Sequence, residues 1–223
     1  MRAAWISVLL VSAAAAQELK YDPNTPEALA AQAKDEAYRQ EAKNLSPFEV
    51  FRELQRLDAA RDARTQLQTP DQLARGAWTF GQSDEDKKAV SFGSVLETRS
   101  QAGDVAASFY NGVYRWRFCR ALAAQNNAQA ENLVTECWRN VMAGFKRAAE
   151  ANVADASINV ARMYANGFGV TASKFVAAEW YVKAAEQYNA RKDRDEALTA
   201  VESALNLVPD HPGALRLRKA MVK

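Results

Sequence analysis

Ala161-Arg162-Met163-Tyr164-Ala165-Asn166-Gly167-Phe168-Gly169-Val170 is the stretch on which the fold turns. A helix runs up to Tyr-x-x-Gly, and two glycines then turn the chain, because glycine enters left-handed backbone without steric cost. A second helix follows and carries Trp180-Tyr181-Val182-Lys183-Ala184-Ala185-Glu186. Together they read as one helical hairpin. The helix expected over 153–165 is apolar on two faces. Ala154, Ile158, Ala161 and Ala165 line one face, and Val153, Ser157, Val160 and Tyr164 the other. Such a helix expects neighbours on both sides, as inside a stack.

The hairpin has a sequence echo. Gly144-Phe145-Lys146-Arg147-Ala148-Ala149-Glu150 returns 36 residues later as Trp180 to Glu186, with aromatic, basic, Ala-Ala and Glu in the same order. A period in this range is a solenoid signature. The paired alanines let the next helix approach closely, and the aromatic fills the wedge between hairpins.

The pattern resembles the Sel-one-like repeat, a relative of the tetratricopeptide repeat. Residues 154–186 carry the resemblance through Ala161, Tyr164, Gly167, Gly169, Val170, Trp180, Tyr181, Ala184 and Ala185. An earlier unit is stretched: Ala102-Gly103-Asp104 and Phe109-Tyr110-Asn111-Gly112 look like its first helix, and Phe145 to Glu150 end its second. Gly112 lies about twice as far from Ala148 as Gly167 does from Ala184, which reads as an insertion. Asp193 to Pro212 resembles a tetratricopeptide half followed by its turn. The resemblance spans about residues 100–222. It implies an all-α protein, a short α-solenoid of helical hairpins preceded by an N-terminal helical region.

Other signals agree with helix. No proline occurs between Pro70 and Pro209, and all nine glycines lie at or beyond Gly76. Proline clashes with the preceding turn of a helix and lacks a donor, so its absence favours helix. Alternating β-branched runs, the strand signal, are missing.

The chain divides by composition into 1–16, 17–25, 26–95 and 96–223. Arg2, the uncharged run Ala3 to Ala16 and the small residues Ala14-Ala15-Ala16 before Gln17 form a secretory signal peptide with its cleavage site. The run is shorter than the ~20 apolar residues of a spanning helix, so no stable membrane anchor is expected after cleavage. The destination is the periplasm or the extracellular space. Residues 17–25 read as a lead-in. Thr25-Pro26, Ser46-Pro47 and Thr69-Pro70 each place a hydroxyl at the N-cap and proline at the first helical position. Glu49 and Gln72 complete capping boxes. The helix from Pro47 puts Val50, Phe51, Leu54 and Leu57 on one stripe and should dock. The helix over 26–43 has few large apolar residues and reads as a solvated arm. Residues 76–88 form a break, in which Asp84-Glu85-Asp86 suits the first turn of a helix better than a calcium loop, whose spacing it lacks.

Charge and chemistry narrow the function. Twenty-nine Lys and Arg against 27 Asp and Glu give no basic excess, so no nucleic-acid partner is expected. Cys119 and Cys137 are the only cysteines. In an exported chain a pair reads as a disulfide. They stand nine residues either side of Ala128, in the polar turn 124–129, and so sit level across an antiparallel hairpin. Cys-x-x-Cys redox spacing is missing. The one histidine, His211, sits in Pro-Asp-His-Pro and reads as a helix start, so no metal site is expected. The serine-nucleophile, zinc-protease and phosphate-loop motifs are absent. Glu202-Ser203 matches one dipeptide of lytic transglycosylases but lacks their second segment, and Glu202 should face solvent. A carboxylate pair for glycoside hydrolysis stays open, since acids from distant positions meet in space. No catalytic residue, cofactor or metal is therefore assigned.

The expected function is an exported scaffold that binds a protein partner in a cell-envelope or secretion assembly. The alternative, by resemblance alone, is a secreted repeat enzyme or cell-wall-ligand binder of β-lactam- or peptidoglycan-hydrolase type. In an array of hairpins the first helices line the concave face. Here those are 104–112 and 153–165, and they present Tyr110, Asn111, Arg162, Tyr164 and Asn166 near their C-terminal ends. Rings and guanidinium groups suit binding, but both tyrosines also occupy packing positions of the repeat.

Overall fold

The computed structural model describes residues 23–66, 83–124 and 131–221, without the side chains of 63–66. The leader, residues 17–22 of the lead-in, the Thr69-Pro70 helix start with Gln72, and residues 125–129 of the polar turn lie outside the described residues. Among the described residues the regular structure is α-helix alone. The helices are α1 (Pro26–Asn44), α2 (Pro47–Gln66), α3 (Asp84–Gln101), α4 (Val105–Ala124), α5 (Glu131–Glu150), α6 (Ala154–Asn166), α7 (Lys174–Ala190), α8 (Arg194–Leu207) and α9 (Pro212–Met221). The chain forms two compact units, residues 1–34 and 35–223.

In the first unit, Thr25 caps α1 by accepting the Ala28 N–H at 3.2 Å. In the second, the Ser46 box closes both ways. Glu49 N–H donates to Ser46 Oγ at 3.3 Å, and Ser46 N–H donates to the Glu49 carboxylate at 2.8 Å. Asp84, Glu85 and Asp86 form the first turn of α3 behind the N-cap Ser83, as their charge favours. In this unit each helix packs on the next in sequence, from α2 on α3 to α8 on α9. Val50, Leu54 and Leu57 of α2 are buried, and the first two pack with Phe92 and Leu96 of α3. Phe145, Trp138, Val160 and Met163 centre the middle of the core, and Val182, Val201 and Leu205 the last part.

The predicted two-faced helix is α6. Its Ala154 and Ile158 join the last cluster, while Val153, Val160 and Tyr164 join the middle one. The alanine pairs Ala148-Ala149 and Ala184-Ala185 are fully buried. Gly167 ends α6 at φ 73°.

Three connections share one geometry. Gly103, Asn152 and Lys192 have φ of 95°, 65° and 68°. In each case the next residue donates its N–H five residues back: Asp104 to Arg99, Val153 to Ala148, and Asp193 to Tyr188, all at 3.0 Å. This is a helix stop with a left-handed residue, which satisfies carbonyls that the helix leaves open.

Two polar joints sit at matching places beside these turns. Arg147 of α5 donates to the Ser100 carbonyl of α3 at 2.5 Å and to Ser108 Oγ of α4 at 3.1 Å. Gln187 of α7 donates to the Ala149 carbonyl of α5 at 2.8 Å and accepts from Ser157 Oγ of α6 at 2.7 Å. Arg147 and Gln187 each stand five residues before the left-handed residue that ends their helix. The turns at Asn152 and Lys192 are 40 residues apart, against 36 for the sequence echo. The extra four residues are about one helical turn, so the buried face is kept.

The stretched unit needs a correction. Its first helix does not stop at Gly112; α4 runs on to Ala124. Gly112 is a contact glycine, not a turn: a Cβ there would lie 2.7 Å from the Phe145 ring. Ala102-Gly103-Asp104 is the turn before the helix, not part of it, and Asp104 caps α4 by accepting the Ala107 N–H at 3.0 Å. The insertion is therefore extra length in α4 and α5. Cys119 and Cys137 bridge that extension as a disulfide with Cα atoms 5.7 Å apart. A cross-link of this sequence separation stabilises by ~3 kcal/mol in the chain-entropy model.

Candidate functional site

Once both apolar faces of α6 are buried, the stripe Asp155, Asn159, Arg162 and Asn166 remains at helical spacing. Its first three residues line a groove. A well of about 560 Å³ lies among Phe109 and Val113 of α4, Asp155, Asn159 and Arg162 of α6, Tyr181 and Tyr188 of α7, and Asp195, Glu196 and Thr199 of α8. A second well of about 250 Å³ lies among Phe51 and Gln55 of α2, Val113, Tyr114, Trp116 and Arg117 of α4, Phe145 of α5, and Asn159 and Arg162 of α6. Val113, Asn159 and Arg162 belong to both wells, which makes one continuous groove.

The two wells differ in charge. Asp155, Asp195 and Glu196 face Arg162 in the larger one. Arg117 and Arg162 stand among aromatic rings in the smaller one. Tyr188 donates its hydroxyl to Asp155 Oδ1 at 2.5 Å. Burial, and then this bond to a carboxylate, hold the phenol well above its ordinary pKa. The Tyr114 phenol is pushed up to about 12, by burial first and then by the Asp58 carboxylate. Asp58 is itself raised by burial, although the guanidinium groups of Arg61 and Arg117 oppose the shift. Nearby, burial raises Glu97 despite its 2.9 Å pair with Arg115, so desolvation outweighs the ion pair.

The five residues expected to bind are placed as follows. Arg162 is exposed and lines both wells. Asn166 lies one turn on, where its side-chain amide donates to the Arg162 carbonyl at 2.8 Å. Tyr164 packs on the middle core, and its hydroxyl accepts from Lys146 of α5 at 3.1 Å. Tyr110 packs against Phe48 and Phe51 of α2 with ring centroids 5.5 and 5.2 Å away. Asn111 is half-buried on α4. Because α4 extends to Ala124, Tyr110 and Asn111 lie in its first half and not at its end. Asp155 and Asn159 were missed on α6, although they stand seven and three residues before Arg162, a spacing that puts them on its face of the helix. Tyr181, Tyr188, Trp116, Asp195 and Glu196 come from other helices and carry no shared sequence signal.

His211 is buried and opens α9, its Nδ1 accepting the Ala214 N–H at 3.3 Å. Glu202 is exposed, 4.0 Å from Arg218. Among the described residues no three His, Cys, Asp or Glu side chains gather as a metal-binding group. Nor is any described helix long and apolar enough to cross a membrane. Comparison with protein-family models, curated proteins and solved structures returns no match.

Proposed function

We propose that this protein is an exported helical-repeat scaffold of Sel-one-like or tetratricopeptide type, which holds a segment of a partner protein in the groove. The observation that carries the reading is the origin of the lining. Every second helix, α2, α4, α6 and α8, contributes to it, with Phe145 of α5 and Tyr181 and Tyr188 of α7 between them. That is the expected arrangement when hairpins stack and their first helices share one face. The three matching turns and two matching joints support a repeated unit. Export is supported by the apolar leader before Gln17 and by the Cys119–Cys137 disulfide, a bond that persists in oxidising compartments.

The test uses a photoreactive amino acid in the full chain, produced with its leader. In place of Asn159 it is expected to crosslink a discrete partner. In place of Glu179, on an exposed position of α7 that lines neither well, it is not. The recovered protein is expected to begin at Gln17 by intact mass. Identical adducts at both positions would overturn the groove reading, and a mass that includes Met1 would overturn export.

A further inference from the structure

The groove is chemically polarised along its length. The α6–α8 well holds Asp155, Asp195 and Glu196, countered among its described lining residues by Arg162 alone. All three carboxylate residues are exposed, so each stays accessible to a ligand. The rings of Tyr181 and Tyr188 border the same space. Carboxylates beside aromatic rings suit a cationic side chain, which gains both charge attraction and cation–π contact. The adjoining well presents Phe51, Trp116 and Phe145, with Arg117 and Arg162 beside them. It offers apolar contact, while Arg117 there already faces Asp58 at 4.0 Å and Asp62 at 3.9 Å, so its rings rather than its charge set the direction of the occupant.

Resting on the reading of the groove as a docking site, we propose that its occupant is a segment of the partner protein. This segment places a lysine or arginine in the well of Asp155, Asp195 and Glu196, and a large apolar side chain in the well of Phe51 and Trp116. The two wells meet at Val113, Asn159 and Arg162, so both anchors belong to one short stretch of the occupant.

The experiment is selection of a phage-displayed random-peptide pool on the oxidised mature protein. Enriched sequences are expected to pair Lys or Arg with Trp, Phe or Leu in one short motif. A labelled peptide of that consensus should bind about tenfold more weakly to the Asp195→Asn, Glu196→Gln variant. It should lose binding when Asn159→Trp fills the shared centre of the groove. Thr199→Trp, exposed on α8, supplies the block should the Asn159 variant fail to fold. Consensus sequences led by Asp or Glu, or indifferent to loss of the carboxylates yet blocked by tryptophan, would overturn the cation assignment and leave the docking groove standing. No enrichment, or binding unaffected by either tryptophan, would overturn both.

Discussion

At Gly169 a Cβ would lie 2.7 Å from Trp138 Cβ and 2.9 Å from its carbonyl carbon, and φ is +69°. Both the conformation and the space require glycine, because Phe168 stacks on Trp138 at 4.7 Å and draws the loop onto α5. Gly103 has φ +95° and nothing within 4 Å of the added atom, so only conformation counts there. Gly169→Ala is expected to cost about 3 kcal/mol and Gly103→Ala about 1 kcal/mol, read as urea midpoints at constant slope. Equal losses would show that the contact with Trp138 relaxes. A second residue-scale prediction concerns acid. Glu53 is held down to about 2, first by its hydrogen bond from Arg56 and then by Lys88, which outweigh burial. Its folded pKa lies below the ordinary 4.5, so its contribution is present above that value and is lost as pH falls toward 2. Glu53→Gln should flatten the fall in melting temperature across that window. An unchanged acid limb would show that other carboxylates dominate it.

Among elements, the two polar joints tie α5 to α3 through the Ser100 carbonyl and α7 to α5 through the Ala149 carbonyl. Gln187 is largely buried and Ser157 fully so. Gln187→Leu strands the Ser157 hydroxyl and leaves the Ala149 carbonyl with the Asn152 N–H as its donor, at a cost of about 1–3 kcal/mol. Adding Ser157→Ala should recover about 1 kcal/mol, since removing both partners leaves fewer unpaired groups. A double-mutant cycle in denaturant measures this; strict additivity would mean that water replaces the glutamine. These joints were not legible in the chain. Arg147 and Gln187 share neither size nor charge, and two of the three left-handed turn residues are Asn152 and Lys192, not glycine. By contrast, the Ser46–Glu49 box and the stop at Gly167 were legible, because their partners lie within one turn of chain.

At the scale of the molecule, Arg162 is the side chain that tests the proposed binding role. It is exposed and lines both wells. Arg162→Ala should leave the melting temperature within about 2 °C and weaken crosslinking from position 159 several-fold. A large thermal shift would mean that Arg162 is structural, and undiminished crosslinking would mean that the partner is held elsewhere. Tyr110 and Tyr164, expected on the same face, are engaged with Phe51 and Lys146. Their substitution changes packing as well as any contact with a ligand, so they are poor probes of binding.

The Ser46–Glu49 box, the stop at Gly167, the two apolar faces of α6 and the pairing of Cys119 with Cys137 were determined by the sequence alone. Caps, glycine stops and a 3.6-residue period are local, and the two cysteines lie level across one hairpin. The need for glycine at position 112, inside α4, was decided by Phe145, more than 30 residues away, whose ring occupies the space a side chain would need. The polarity of the groove was likewise decided by packing. The carboxylates come from α6 and α8, and the aromatic well gathers rings from α2, α4 and α5. No stretch of chain contains both halves. Only the tertiary packing of the helices brings them onto one surface.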